Sequence, residues 1–116
     1  MTTTIDIAKD FARFPRGRYF ADGDGNATSF RKKFLVPVLE KDDRATVVLD
    51  GTGGYASSFL DEAFGGLVRK EGYSAKKVLS TFEFRAEELG FRRFADLIRM
   101  HVERAAEETS TPESKG

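Results

Sequence analysis

The stretch that most restricts the fold of this chain is ATVVLDG, residues 45–51, followed by the loop TGGYA and then by SSFLDEAFGGLVRKEG. Val47, Val48 and Leu49 form a short apolar run closed by Asp50-Gly51, the pattern of a central strand buried on both faces. Beyond the loop, Phe59, Leu60, Ala63, Phe64, Leu67 and Val68 recur at i, i+1, i+4, i+5, i+8 and i+9, the period of an amphipathic helix. Lys70 near its end and Gly72 just after it supply a stop. A strand passed through a small-residue loop into a helix is a building unit of α/β folds.

The remaining segments fit around that unit. TTTIDIAKDF alternates as a half-buried strand, with Ile5 and Ile7 on one side. Pro15 and Gly17 then turn the chain into a short second strand at residues 18–20. In TSFRKKFLVPVLEK, Phe30, Phe34, Leu35, Val38 and Leu39 mark a helix face, with Thr28 or Ser29 as N-cap and a kink or early end at Pro37. KKVLSTFEF reads as a fourth strand, with Val78, Ser80, Phe82 and Phe84 on one side. A last helix runs from Glu87 or Gly90 to about residue 107, with Phe91, Phe94, Ala95, Ile98 and Val102 facing inward. The order β-β-α-β-α-β-α predicts a single α/β domain over residues 1–106, a mixed four-stranded sheet covered by three helices. Residues 107–116 are polar and aperiodic, and read as a disordered tail.

Composition narrows the function. Nineteen Lys and Arg balance nineteen Asp and Glu, which disfavours nucleic-acid binding by bulk charge. There is no Cys and one His, His101, so thiolate chemistry and a His-rich metal site are excluded. No metal or other cofactor is expected. No apolar run is long enough to span a bilayer, and MTTTIDIAKD does not resemble a signal peptide, so a cytoplasmic protein is expected.

Ser57 and Ser58 are the candidate functional residues, and two readings of them stand. As a cap, either serine accepts from a free N–H, with Asp61 three residues after Ser58 in a variant capping box. As a phosphoacceptor, the hydroxyl sits at an exposed strand-to-helix turn, where a phosphoryl group meets free N–H groups but is opposed by Asp61 and Glu62. Gly65 and Gly66 inside the helix together cost about 2 kcal/mol relative to alanine, which points to a close approach by a neighbour. Arg16, Arg18 and Arg31 flank a Gly-containing loop that leads into the first helix, a candidate anion site. Asp50 with Asp61 or Glu62 is a weaker candidate for a metal.

FPRGRY, FRKKFLVPVL and above all VVLDGTGGYASSFLDEAFGGLVRKEG carry a resemblance to the STAS-like domains of unknown function, relatives of bacterial anti-sigma factor antagonists. The resemblance covers roughly residues 4–104. It implies a sheet covered by helices and a regulatory role without catalysis. In the antagonists, a serine at the start of the second helix is phosphorylated by a partner with a histidine-kinase-like ATPase fold, which blocks binding. Their Asp-Ser-Ser/Thr-Gly pattern falls on ASSF here, placing the phosphoacceptor at Ser57. Ala56 and Phe59 depart from the pattern.

Three functions follow as expectations. The first is a protein-binding regulatory module that engages a histidine-kinase-like ATPase through Tyr55, Phe59, Asp61 and Glu62. The second is a nucleotide or phosphate sensor built on Arg16, Arg18 and Arg31. The third and weakest is a hydrolase using Ser57 or Ser58, since the pattern is not Gly-x-Ser-x-Gly.

Overall fold

The computed structural model describes residues 2–109. At its centre lie three strands, β1 (Thr2–Asp6), β2 (Arg44–Val48) and β3 (Phe82–Arg85), ordered β1-β2-β3 with both pairings parallel. Parallel neighbours need helical crossovers. Helix α1, residues 27–40, joins β1 to β2. Helix α2, residues 57–69, and α3 (Ala75–Thr81) join β2 to β3. Helix α4 (Arg92–Thr109) follows β3 and packs along α2.

Register sets the core. Ile5, Val47 and Phe84 align across the three strands, as do Ala45 and Phe82 on the same face. Phe64 of α2 meets Phe84 edge-on, with centroids 5.4 Å apart, so α2 covers this face. The opposite face carries Thr4, Thr46, Glu83 and Arg85, of which Thr4, Glu83 and Arg85 are exposed. Central strand β2 sets Ala45 and Val47 against the core, and on its other face Thr46 is buried and Val48 half-buried, so the strand is covered on both faces with a threonine inside the apolar run.

The sheet has three strands rather than four, and it is parallel rather than mixed. The strand expected at residues 18–20 is a loop entering a 3-10 turn, Phe20–Asp22. The Asp22 carboxylate accepts from the backbone N–H groups of Arg18 and Tyr19, so those donors are closed into a local turn and unavailable to a ladder. KKVLSTFEF divides at Phe82. Ser74 caps α3 by accepting from the Lys77 N–H, and Val78 and Thr81 are buried at helical spacing. Only FEFR is strand.

Helix details also differ from expectation. The N-cap of α1 is Asn26, whose Oδ1 accepts from the Ser29 N–H at 2.8 Å; neither Thr28 nor Ser29 caps it. The helix passes Pro37 and ends at Glu40, because a π-helical turn, Arg31–Leu35, precedes the proline and widens the backbone there. Helix α2 contains a second π-helical turn, Asp61–Gly65. Helix α4 extends to Thr109, three residues into the segment expected to be tail. Residues 110–116 lie outside the described part.

Candidate functional site

The N-terminal turn of α2 is not capped by a serine. Ala56 occupies the N-cap position with extended backbone and no side-chain hydrogen bond, and Ser57 is the first helical residue. Its exposed hydroxyl turns sideways to α4 and lies 3.1 Å from His101 Nε2. Ser58, next along, is half-buried.

His101 is only 5% exposed, placed on the buried side of α4 between Ile98 and Val102. Its Nδ1 lies 3.4 Å from Asp61 Oδ1 without a hydrogen bond, leaving Nδ1 as an unpartnered buried polar atom among the described residues. Ser57 and Asp61 are four residues apart on α2, hence on one face, and His101 reaches across to both. Asp61 is held in turn by Arg18 Nη1 at 2.9 Å and Arg69 Nη2 at 3.0 Å.

These side chains line an open pocket of about 510 Å³ with Tyr19, Glu62, Lys70, Arg104 and Glu108. Burial alone would raise the Asp61 carboxyl, but hydrogen bonds and charge from Arg18 and Arg69 hold it below the usual carboxylate range. For Glu62, burial is similarly outweighed by hydrogen bonds from Lys70 and Arg31. Burial lowers His101, and Arg104, Arg69 and Arg18 add to that against the opposing pull of Asp61. This direction favours the neutral imidazole at pH 7.

The candidate anion site does not form. Arg31 is 2% exposed and pairs with Glu62 at 3.0 Å and Glu71 at 2.9 Å, so its charge is already matched inside the protein. Arg18 is engaged by Asp61, and the exposed Arg16 does not line the pocket. Arg18 and Arg31 both converge on the Glu62 carboxylate, at 3.7 and 3.0 Å, and with Arg16 apart from them the three do not form one free cationic site. Asp50 accepts from the Glu87 and Glu88 N–H groups at a separate location and is not brought to Asp61 or Glu62.

Of the expected partner-contact residues, Phe59 is fully buried against Phe11 and Phe30, and Glu62 is buried beside Arg31. Neither offers a surface. Tyr55 is half-buried, its hydroxyl donating to the Leu49 carbonyl and its ring set edge-on to Phe94. The exposed aromatic surface lies instead on the loop that Arg18 anchors, at Phe14, Tyr19 and Phe20. The strand expected at residues 18–20 covers Tyr19 and Phe20 but not Phe14, which precedes the Pro15–Gly17 turn.

Residues 26–88 match the family model of the STAS-like domain of unknown function (DUF4325). The chain belongs to this STAS-like family. No curated protein and no solved structure matches it. The matched segment of this STAS-like domain runs from the cap of α1 past β3 and includes Arg31, Ser57, Asp61 and Glu62. His101, Arg18 and the exposed loop aromatics lie outside it.

The depressed pKa values of His101, Glu62 and Asp61 imply an acid-stability profile. Each group binds fewer protons in the folded than in the unfolded state, so each contributes stability that is lost as pH falls from its unfolded value through its folded one. His101 acts first, below its unfolded value of 6.5, and Glu62 and Asp61 follow below 4.5 and 3.8. Urea midpoints should therefore begin to fall below pH 6.5 and fall further below pH 4.5. His101→Gln should remove the first decline and leave the second; an unchanged first decline would assign it elsewhere.

Proposed function

We propose that this STAS-like domain is a regulatory module that binds a protein partner rather than turning over a substrate, and that phosphorylation of Ser57 switches the binding. The observation that supports this most directly is the Ser57 hydroxyl, exposed at a helix start and not used as the cap. The resemblance to anti-sigma factor antagonists names a histidine-kinase-like ATPase as the kind of partner. No helix among the described residues is long and apolar enough to cross a membrane.

The switch has a physical route. A phosphoryl group on Ser57 brings about two negative charges to within one helical turn of Asp61. It would repel that carboxylate and compete with it for Arg18 and Arg69. Arg18 ties the loop carrying Tyr19 and Phe20 to α2, so its release loosens two exposed aromatic rings.

Ser57→Asp and Ser57→Ala test the reading. A tagged domain carrying Ser57→Ala should co-purify with its native partner as wild type does, and Ser57→Asp should not. Ser57→Ala should melt as wild type does and Ser57→Asp slightly lower, since its carboxylate suits the first turn of a helix but repels Asp61 one turn away. Equal recovery of the partner by all three proteins would reject the switch.

A further inference from the structure

We infer that Ser57 is an activated nucleophile toward acyl groups, with His101 as general base and Asp61 as the residue that positions it, so that Ser57 is a site of covalent acylation. The inference rests on the same exposed hydroxyl as the switch reading, but its claim is about reactivity and not about partner binding. Ser57 Oγ and His101 Nε2 are within hydrogen-bond reach at 3.1 Å. The other ring nitrogen faces Asp61 at 3.4 Å and has no other partner. Asp61 is itself fixed by two arginines. Nucleophile, base and orienting carboxylate thus stand in the order that nucleophilic catalysis by serine requires.

A helix cap needs none of this. A serine that only begins a helix has no use for a buried histidine, and a buried histidine leaving Nδ1 without a hydrogen bond is costly. With the proton on Nδ1, the ring faces Asp61 at 3.4 Å, short of a hydrogen bond, and leaves Nε2 to accept from the Ser57 O–H. Burial favours the neutral imidazole, the form a base requires.

In the reaction, Ser57 Oγ attacks the carbonyl carbon of an activated ester or thioester while its proton passes to His101 Nε2. The tetrahedral intermediate collapses, the bond to the leaving group breaks with its electron pair, and the proton goes to the leaving group or to solvent. The product is an acyl-serine. Arg18, Arg69 and Lys70 are paired with Asp61, Glu62 or Glu108, and Arg104 also lines the pocket, so the product formed from a mixed donor, and not the charge of the pocket, distinguishes acylation from phosphorylation.

The probe is p-nitrophenyl acetate, followed by nitrophenolate release and peptide mapping. One acetyl group should appear on Ser57, on the order of 100-fold faster than in His101→Gln. Acetylation confined to Ser58 or lysines, or an equal rate in His101→Gln, would overturn the inference. Acetyl phosphate provides a second arm, since both its carbonyl and its phosphorus are open to attack. Acetyl-Ser57 supports the acyl class and phospho-Ser57 refutes it.

If His101→Gln fails to fold, the pH profile of the wild-type protein decides. The groups facing His101 are Asp61 and Arg69 from α2, Arg18 from the loop and Arg104 on its own helix. The rate should rise as His101 loses its proton below pH 6.5 and then level off. A rate still climbing above about pH 8 would point to a different nucleophile and overturn the inference. A Ser57 that a partner phosphorylates but that takes no acetyl would reject the acylation and leave the switch intact. An acetylated Ser57 with equal partner recovery by the Asp and Ala variants would do the reverse.

Discussion

Phe64→Ala should destabilise the domain by about 3–5 kcal/mol, the range for removing a fully buried aromatic ring. Phe64 joins the two layers of the fold. Its ring meets Phe84 of β3 at 5.4 Å and Phe30 of α1 at 6.1 Å, and it has no exposed surface. Truncation leaves a cavity bordered by sheet on one side and helix on the other, so neither can close it alone. A shift in the urea midpoint without a change in slope would report this loss. A midpoint equal to that of wild type would mean that the α2 face has been assigned wrongly.

The helix that carries Phe64 was legible because its period is strong. Six apolar residues at helical spacing behind a β-branched run leave little choice. Elsewhere the local signal was ambiguous or overruled. In VLSTFEF the apolar positions fit period 2 as well as one helical turn followed by a strand. The Ser74 cap decides, and a two-residue alternation does not reveal it. At residues 18–20, the β-prone Tyr19 and Phe20 are overruled by Asp22, whose carboxylate collects the two backbone donors a strand would have used.

The candidate site was half legible for a different reason. Ser57 and Asp61 lie one turn apart and can be placed from spacing alone. His101 comes from a helix that begins 35 residues after Ser57, counting from Arg92. Its one local sign is its place on the stripe of Phe94, Ile98 and Val102, where a lone histidine must either find a polar partner or leave a nitrogen unsatisfied. Arg18 and Arg69 closing on Asp61 have no sequence signature, because charges at such separations meet only through the tertiary fold.

Arg31 makes the same point with a larger energy. The glycine pair of α2 marks a close approach, by this arginine at Gly66 and by Arg69 and Asp61 at Gly65. A Cβ on Gly66 would overlap Arg31 Nη1 and press on Cζ at 3.0 Å. The guanidinium donates to the Glu62 carbonyl at 2.6 Å and to the Glu62 carboxylate at 3.0 Å. Arg69 likewise donates to the Asp61 carbonyl at 3.1 Å. Both carbonyls belong to the π-helical turn of α2, so arginine donors occupy backbone acceptors where the regular helical ladder is interrupted.

Arg31→Met should therefore cost about 3 kcal/mol or more, because it leaves the buried Glu62 short of a partner. Glu62 is 2% exposed, and the remaining cation within hydrogen-bond distance is Lys70 at 2.7 Å, itself largely in solvent. Lys70 keeps the loss toward the lower end of the range for a broken buried pair. The double variant Arg31→Met with Glu62→Leu removes both charges, and should recover more than half of the lost stability, since a buried pair replaced by apolar groups of similar size is often neutral. Urea denaturation of the two single variants and the double variant closes the cycle. Additive losses would show that Arg31 and Glu62 act independently, and that Gly66 makes room for a packed side chain rather than for a charge.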